Sequence, residues 1–96
     1  MSTQPPRPDQ LASSVARICT ILSEQFIDKT RGQALAASTQ LAHDLSLDSL
    51  DLVTLAALVE DSAQCALMDE QTDPAVFDTI GSLALHLESM RRAQRT

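Results

Sequence analysis

The chain has 96 residues, 44% of them apolar, and carries thirteen acids against seven bases for a net charge of −6. That length suits one small domain with little room for a cleft between subdomains, and no stretch approaches the roughly 20 apolar residues that span a bilayer. The acidity argues against nucleic acid and anionic membrane and for partners with basic surfaces, though it also serves solubility alone. Phe26 and Phe77 are the only aromatics, so base stacking has almost no platform.

Met1 to Asp9 lacks the basic-then-apolar order of a signal peptide, and a cytoplasmic location is expected. Three of the first eight residues are proline, so residues 1–8 read as a flexible arm. From Asp9, taken as an N-cap, apolar residues fall at Leu11, Val15, Ile18, Leu22 and Phe26. These positions draw one stripe down a helix that ends near Asp28 to Gly32. Ser14, Arg17, Glu24 and Gln25 are assigned to its wet side.

Thr30 to Leu47 has no sustained period and is long for a connection. It is expected to be an ordered loop pinned by Leu35, Leu41, Leu45 and Leu47, with room for a helical turn over Leu35 to Ala37.

The next segment, Asp48-Ser49-Leu50-Asp51, reads as a helix start. Asp48 is a good N-cap, Asp51 places a second acid where the helix dipole favours it, and Ser49 falls at the first helical position. A hydroxyl there projects beside backbone N–H groups that lack intrahelical partners, a setting suited to a phosphate. The triplet alone is common, and the plain alternative is a serine that merely starts a helix.

The helix from Ser49 to about Ser62 bears two apolar faces. At 100° per residue, Leu52, Leu55, Ala56 and Val59 form one, assigned to the core, and a charge at Leu52 is expected to unfold the protein. Leu50, Val53 and Ala57 form the other, rimmed by Asp51, Glu60 and Asp61 as an interface would be. Burial of both faces inside a bundle is the competing reading.

Gln64 to Thr72 reads as a loop anchored by Leu67 and Met68. Asp73-Pro74 then opens a one-turn helix through Phe77, and Asp78 with Thr79 caps the last helix. That helix carries the stripe Ile80, Leu83, Ala84, Leu87 and Met90, with Gly81 tolerated in its first turn. Arg91, Arg92 and Arg95 suit the negative end of its dipole better than a nucleic-acid patch. Cys19, Cys65, His43 and His86 lie apart and are assigned packing or surface roles, with no metal site. Spacing assembles no catalytic triad from Ser49, His43 and Asp44. The fold class expected is all-α: a small four-helix bundle of three longer helices and one short one.

Leu45-Ser46-Leu47-Asp48-Ser49-Leu50-Asp51 at the start of the second of four helices, followed by Phe77-Asp78-Thr79-Ile80-Gly81-Ser82-Leu83, resembles the acyl carrier protein family over about Leu11 to Leu87. The resemblance implies a carrier domain over 9–92, a tail over 93–96, and a 4′-phosphopantetheine arm on Ser49, with Asp48 and Leu50 flanking the cofactor. It implies a magnesium-dependent phosphopantetheinyl transferase as one partner, and acyl-loading and condensing enzymes as others. The face Leu50, Val53 and Ala57 with Asp51, Glu60 and Asp61 would meet them. No catalytic residue is required of the chain, because acyl groups ride on the thiol that the arm supplies, and a monomer is the default.

Three departures stand out: Ser46 where the family often has glycine, Thr54 where an acid is usual, and Ala63 where a bulky aromatic is frequent. Ser46 implies a stiffer approach loop, and the less acidic recognition helix favours specialised polyketide or related biosynthesis over bulk fatty acid synthesis. An aminoacyl or peptidyl carrier and an unmodified helical adaptor remain as alternatives.

Overall fold

The computed structural model describes residues 8–67 and 72–93. It is an all-α structure. Helices α1 (Pro8–Gln25), α2 (Ile27–Thr30), α3 (Ser49–Ala63) and α4 (Ile80–Ala93) are joined by loops, with a 3-10 helix over Pro74–Phe77 before α4. Among the described residues there is no strand, only an isolated antiparallel bridge between Gln40 and Thr79. No helix among them is long and apolar enough to cross a membrane.

The apolar stripes meet where their periods place them. Ile18 and Leu22 of α1, Leu55 and Val59 of α3, and Ile80, Leu83 and Leu87 of α4 have no exposed surface. Helix α1 packs against both α3 and α4. Burying a side chain of that size stabilises the fold by about 1.5–3 kcal/mol each, so these three stripes dominate the energetics.

The first helical stretch is two helices, not one. Its hydrogen bonds run to the Phe26 N–H, which donates to Leu22, but Phe26 itself leaves helical geometry at φ −125°, ψ 45° and α2 restarts behind it. The helix also begins earlier than Asp9, which lies inside α1 because Pro8 is already helical. The rest of the expected arm, residues 1–7, and the last three residues of the expected tail lie outside the described residues, as do Met68 and Arg95; Ala93 belongs to α4.

Ser14 is not on a wet face. It is 1% exposed, and its hydroxyl donates to the Glu88 carboxylate of α4, which is also buried and accepts from Arg91 at 3.2 Å. The stripe count missed this because a serine reads as polar, while helix α4 brings a partner within reach that local spacing cannot reveal. Arg17, half-buried, spans to α3, donating to the carbonyl and hydroxyl of Ser62, both at 2.9 Å.

The long connection between α2 and α3 is ordered because it is stitched to the start of α4. Leu41 N–H donates to Asp78, Ile80 N–H to Thr39 and Gly81 N–H to Ala37, at 2.8–3.0 Å. Leu41, Leu45 and Leu47 are buried, Leu35 packs partly against the core, and the stretch Leu35 to Ala37 forms no helix. Gly81 is required rather than merely tolerated: a Cβ there would stand 2.9 Å from the Ala37 carbonyl oxygen, a backbone atom. Thr79 caps α4, its hydroxyl accepting from Ser82 N–H while the Ser82 hydroxyl accepts from Thr79 N–H, both at 3.0 Å. Asp78 instead closes the 3-10 helix, which Asp73 opens by accepting from Ala75 N–H.

Candidate functional site

Helix α3 starts with a reciprocal cap. The Asp48 carboxylate accepts from Asp51 N–H at 2.8 Å, and the Asp51 carboxylate accepts from Asp48 N–H at 3.2 Å. Each bond satisfies a donor that the helix leaves without an internal partner. Ser49 therefore occupies the first helical position with its side chain exposed, and among the described residues its hydroxyl has no hydrogen-bond partner.

The approach to this cap is held from α2. Lys29 Nζ donates to the Asp51 carboxylate at 2.7 Å and to the Ser46 carbonyl at 3.1 Å. Ser46 itself adopts φ 57°, left-handed backbone that favours glycine. The lysine's hydrogen bond, supported by the Asp48 backbone, holds the Asp51 carboxyl below its ordinary range; the same bond raises the Lys29 ammonium.

This arrangement changes the expected electrostatics. The positive end of α3 is not an open row of N–H groups, because the cap occupies two donors and places two carboxylates beside Ser49. Lys29 compensates part of that negative charge, and solvent screens what remains.

Outward from Ser49, Leu50 is 74% and Val53 58% exposed, and Ala57 is exposed as well. These are large values for side chains of that kind in a small domain, and they form one strip on α3. The expected rim is only partly available. Asp61 is exposed, but the Asp51 carboxylate is paired with Lys29, and Glu60 turns inward to accept from Leu67 N–H at 2.7 Å. Glu60 thus ties down the start of the loop after α3. Thr54 donates to the Leu50 carbonyl, a local bond within the helix.

Leu52 was assigned to the core but is half-buried. It sits between two partly open hollows that share Leu52, Pro74 and Phe77. One, about 210 Å³, is lined by Ser49, Leu52, Val53, Thr72, Pro74 and Phe77. The other, about 460 Å³, adds Gln40, Ala42, His43, Asp78 and Thr79. The helical period does put Leu52 on the inner side of α3; the 3-10 helix stands off far enough to leave a groove there.

His43 lines the far hollow and Ser49 the near one, and no hydrogen bond joins them. His86 donates through Nε2 to the Leu67 carbonyl, a packing role. Cys19 and Cys65 are free thiols, and burial pushes both up from their ordinary value, which disfavours the thiolate. Among the described residues no group of three or more histidine, cysteine, aspartate or glutamate side chains could hold a metal ion.

Sequence reasoning singled out Ser49, Asp48, Leu50, Asp51, Val53, Ala57, Glu60 and Asp61. It missed Lys29, which reaches the cap across 22 residues of chain, and the groove residues Pro74 and Phe77. Proline after aspartate revealed a turn, but nothing local says that the turn faces Ser49. Comparison with protein-family models, with curated proteins and with solved structures finds no match to the chain.

Proposed function

We propose that this protein is a stand-alone acyl carrier: Ser49 receives a 4′-phosphopantetheine arm from coenzyme A, and acyl groups travel as thioesters on the thiol that the arm supplies. The observation that carries the reading is a solvent-exposed serine hydroxyl at the first position of a reciprocally capped helix, with an exposed apolar strip continuing down the same helix. A carrier needs a displayed attachment point and a docking face, and no base beside the serine, because the transferase activates the hydroxyl. The chain's residues fit those demands. The apolar groove beside Ser49 can take the arm or its cargo, and the exposure of Ser49 leaves room for the phosphodiester.

In this reading the chain has no catalytic residue. It presents Ser49 through Asp48 and Asp51, and offers Leu50, Val53, Ala57 and Asp61 to the transferase and to loading and condensing enzymes. In this reading it is a small cytoplasmic monomer, and the less acidic recognition helix, with Thr54 where an acid is usual, favours specialised biosynthesis. One observation favours a second reading: the exposure of Leu50 and Val53 would serve an unmodified helical adaptor equally well.

Intact mass separates the two. Incubation with a broad-specificity phosphopantetheinyl transferase, magnesium and coenzyme A should add one arm to the chain and none to Ser49→Ala, which should fold normally. A chain that stays unmodified while its transferase modifies a control carrier would leave the adaptor.

A further inference from the structure

Helix α2 is only four residues long, yet its Lys29 side chain bonds both halves of the serine-presenting turn, at Ser46 and at Asp51. From this we infer that Lys29 is a positioning residue for Ser49: its ammonium clamps the turn in the conformation that a modifying enzyme takes up. The inference rests on the carrier reading above and adds a residue to it.

The turn has two weak points. Ser46 holds a left-handed backbone that a residue with a Cβ adopts at a cost. Asp48 and Asp51 place two carboxylates within a single helical turn, and each tends to push the other away. Lys29 answers both. One hydrogen bond fixes the carbonyl of Ser46, the strained residue, and the other holds the Asp51 carboxylate that in turn accepts from Asp48 N–H. The chain from Lys29 to Asp51 to Asp48 ends one residue before Ser49. Lys29 does not touch Ser49, so its action passes entirely through the turn.

Phe26 leaves helical geometry between α1 and α2, and from the restarted helix Lys29 bonds the start of α3. A methionine at position 29 keeps most of the apolar stem and removes both bonds. An arginine keeps a donor for each.

Without the clamp the turn populates the presenting form only part of the time. An enzyme that accepts only that form then binds the chain with an apparent constant raised by the inverse of the populated fraction. Lys29 is part-exposed, where such pairs are weakened by solvent, so the fraction should fall by no more than about fivefold.

The test compares Lys29→Met, Lys29→Arg and Arg17→Met with the unaltered chain. Arg17→Met removes a clamp of similar kind from the opposite end of α3, at Ser62. Two quantities are read: steady-state arm transfer with a broad-specificity transferase, and amide hydrogen exchange of the unmodified proteins at Asp48, Asp51 and Val59.

Lys29→Met should raise the KM for the chain measurably, by up to about fivefold, at unchanged kcat and speed exchange at Asp48 and Asp51 by a similar factor, leaving Val59 unchanged. Lys29→Arg should restore both. The inference is overturned if Arg17→Met raises KM as much as Lys29→Met, since general loosening would then explain the effect, or if exchange at Asp48 and Asp51 is indifferent to Lys29→Met. Failure of the carrier reading looks different: the unaltered chain itself takes no arm, and the exchange data alone then decide whether Lys29 holds the turn.

Discussion

Ser46 shows how one backbone angle can be set by its neighbours. At φ 57° the serine Cβ crowds the following carbonyl, and the left-handed conformation persists because Leu45 and Leu47 are buried on either side while Lys29 holds the carbonyl between them. Glycine, with no Cβ, adopts this angle without that crowding. Ser46→Gly should therefore stabilise the protein by about 0.5–1 kcal/mol, the relief of strain exceeding the added freedom of the unfolded chain. Urea unfolding with an unchanged m value would show it as a higher midpoint; a lower midpoint would mean that the serine side chain contributes a contact worth more than the strain.

Helix α3 carries its two faces into different surroundings, and substitutions on them should behave differently. Leu55 has no exposed surface, so Leu55→Asp should abolish cooperative unfolding, as a charge buried without a partner costs more than a domain of this size can lose. Leu50→Asp should change stability by no more than about 0.5 kcal/mol and should lower arm transfer by the transferase. Circular dichroism through a urea series distinguishes the pair, and equal loss of structure in both would place Leu50 in the core. Leu52, half-buried at the groove, should fall between them.

The cap of α3 also sets a pH dependence. Lys29 and then the Asp48 backbone hold the Asp51 carboxyl below its ordinary value of 3.8. A carboxyl lowered in the folded state stabilises at pH values above its unfolded value, and that contribution disappears as pH falls through the folded value. Lys29 is raised above 10.5, so its share is lost only at more alkaline pH. Between these limits the contribution is level. The stability difference between the unaltered chain and Asp51→Asn should be constant from about pH 5 to 10 and should shrink below about pH 4. A difference that grows on acidification would reverse the sign and refute the pairing.

For the molecule as a whole, the polar ties between helices matter as much as the apolar stripes. Ser14 and Glu88 join α1 to α4 across 74 residues, and Arg17 joins α1 to α3 across 45. The Glu88 carboxylate is buried and depends on Ser14 and Arg91 for partners. Ser14→Ala should thus cost about 1–3 kcal/mol, far more than a surface serine would, because it strips a donor from a buried charge. Thermal unfolding would reveal this, and a melting temperature within a degree of the unaltered chain would show that Glu88 finds water or another donor.

The helical stripes, the Asp48 cap, the proline-initiated turn at Asp73 and the two faces of α3 were all legible in the sequence, because each depends on spacing within about one turn of helix or on the chemistry of a single residue. The all-α class follows from those local signals. Ser14, Glu60, Gly81, Phe26 and Lys29 were not legible in the same way. Each is defined by what another segment brings to it: a carboxylate from α4, an amide after α3, a carbonyl at Ala37, a restart of the helix, a cap 22 residues away. Hydrogen bonds between distant segments leave no period in a sequence. The position of Ser49 at a helix start was therefore a property of the sequence itself, whereas the left-handed approach at Ser46, the lysine clamp and the groove at Phe77 were decided only when the helices packed.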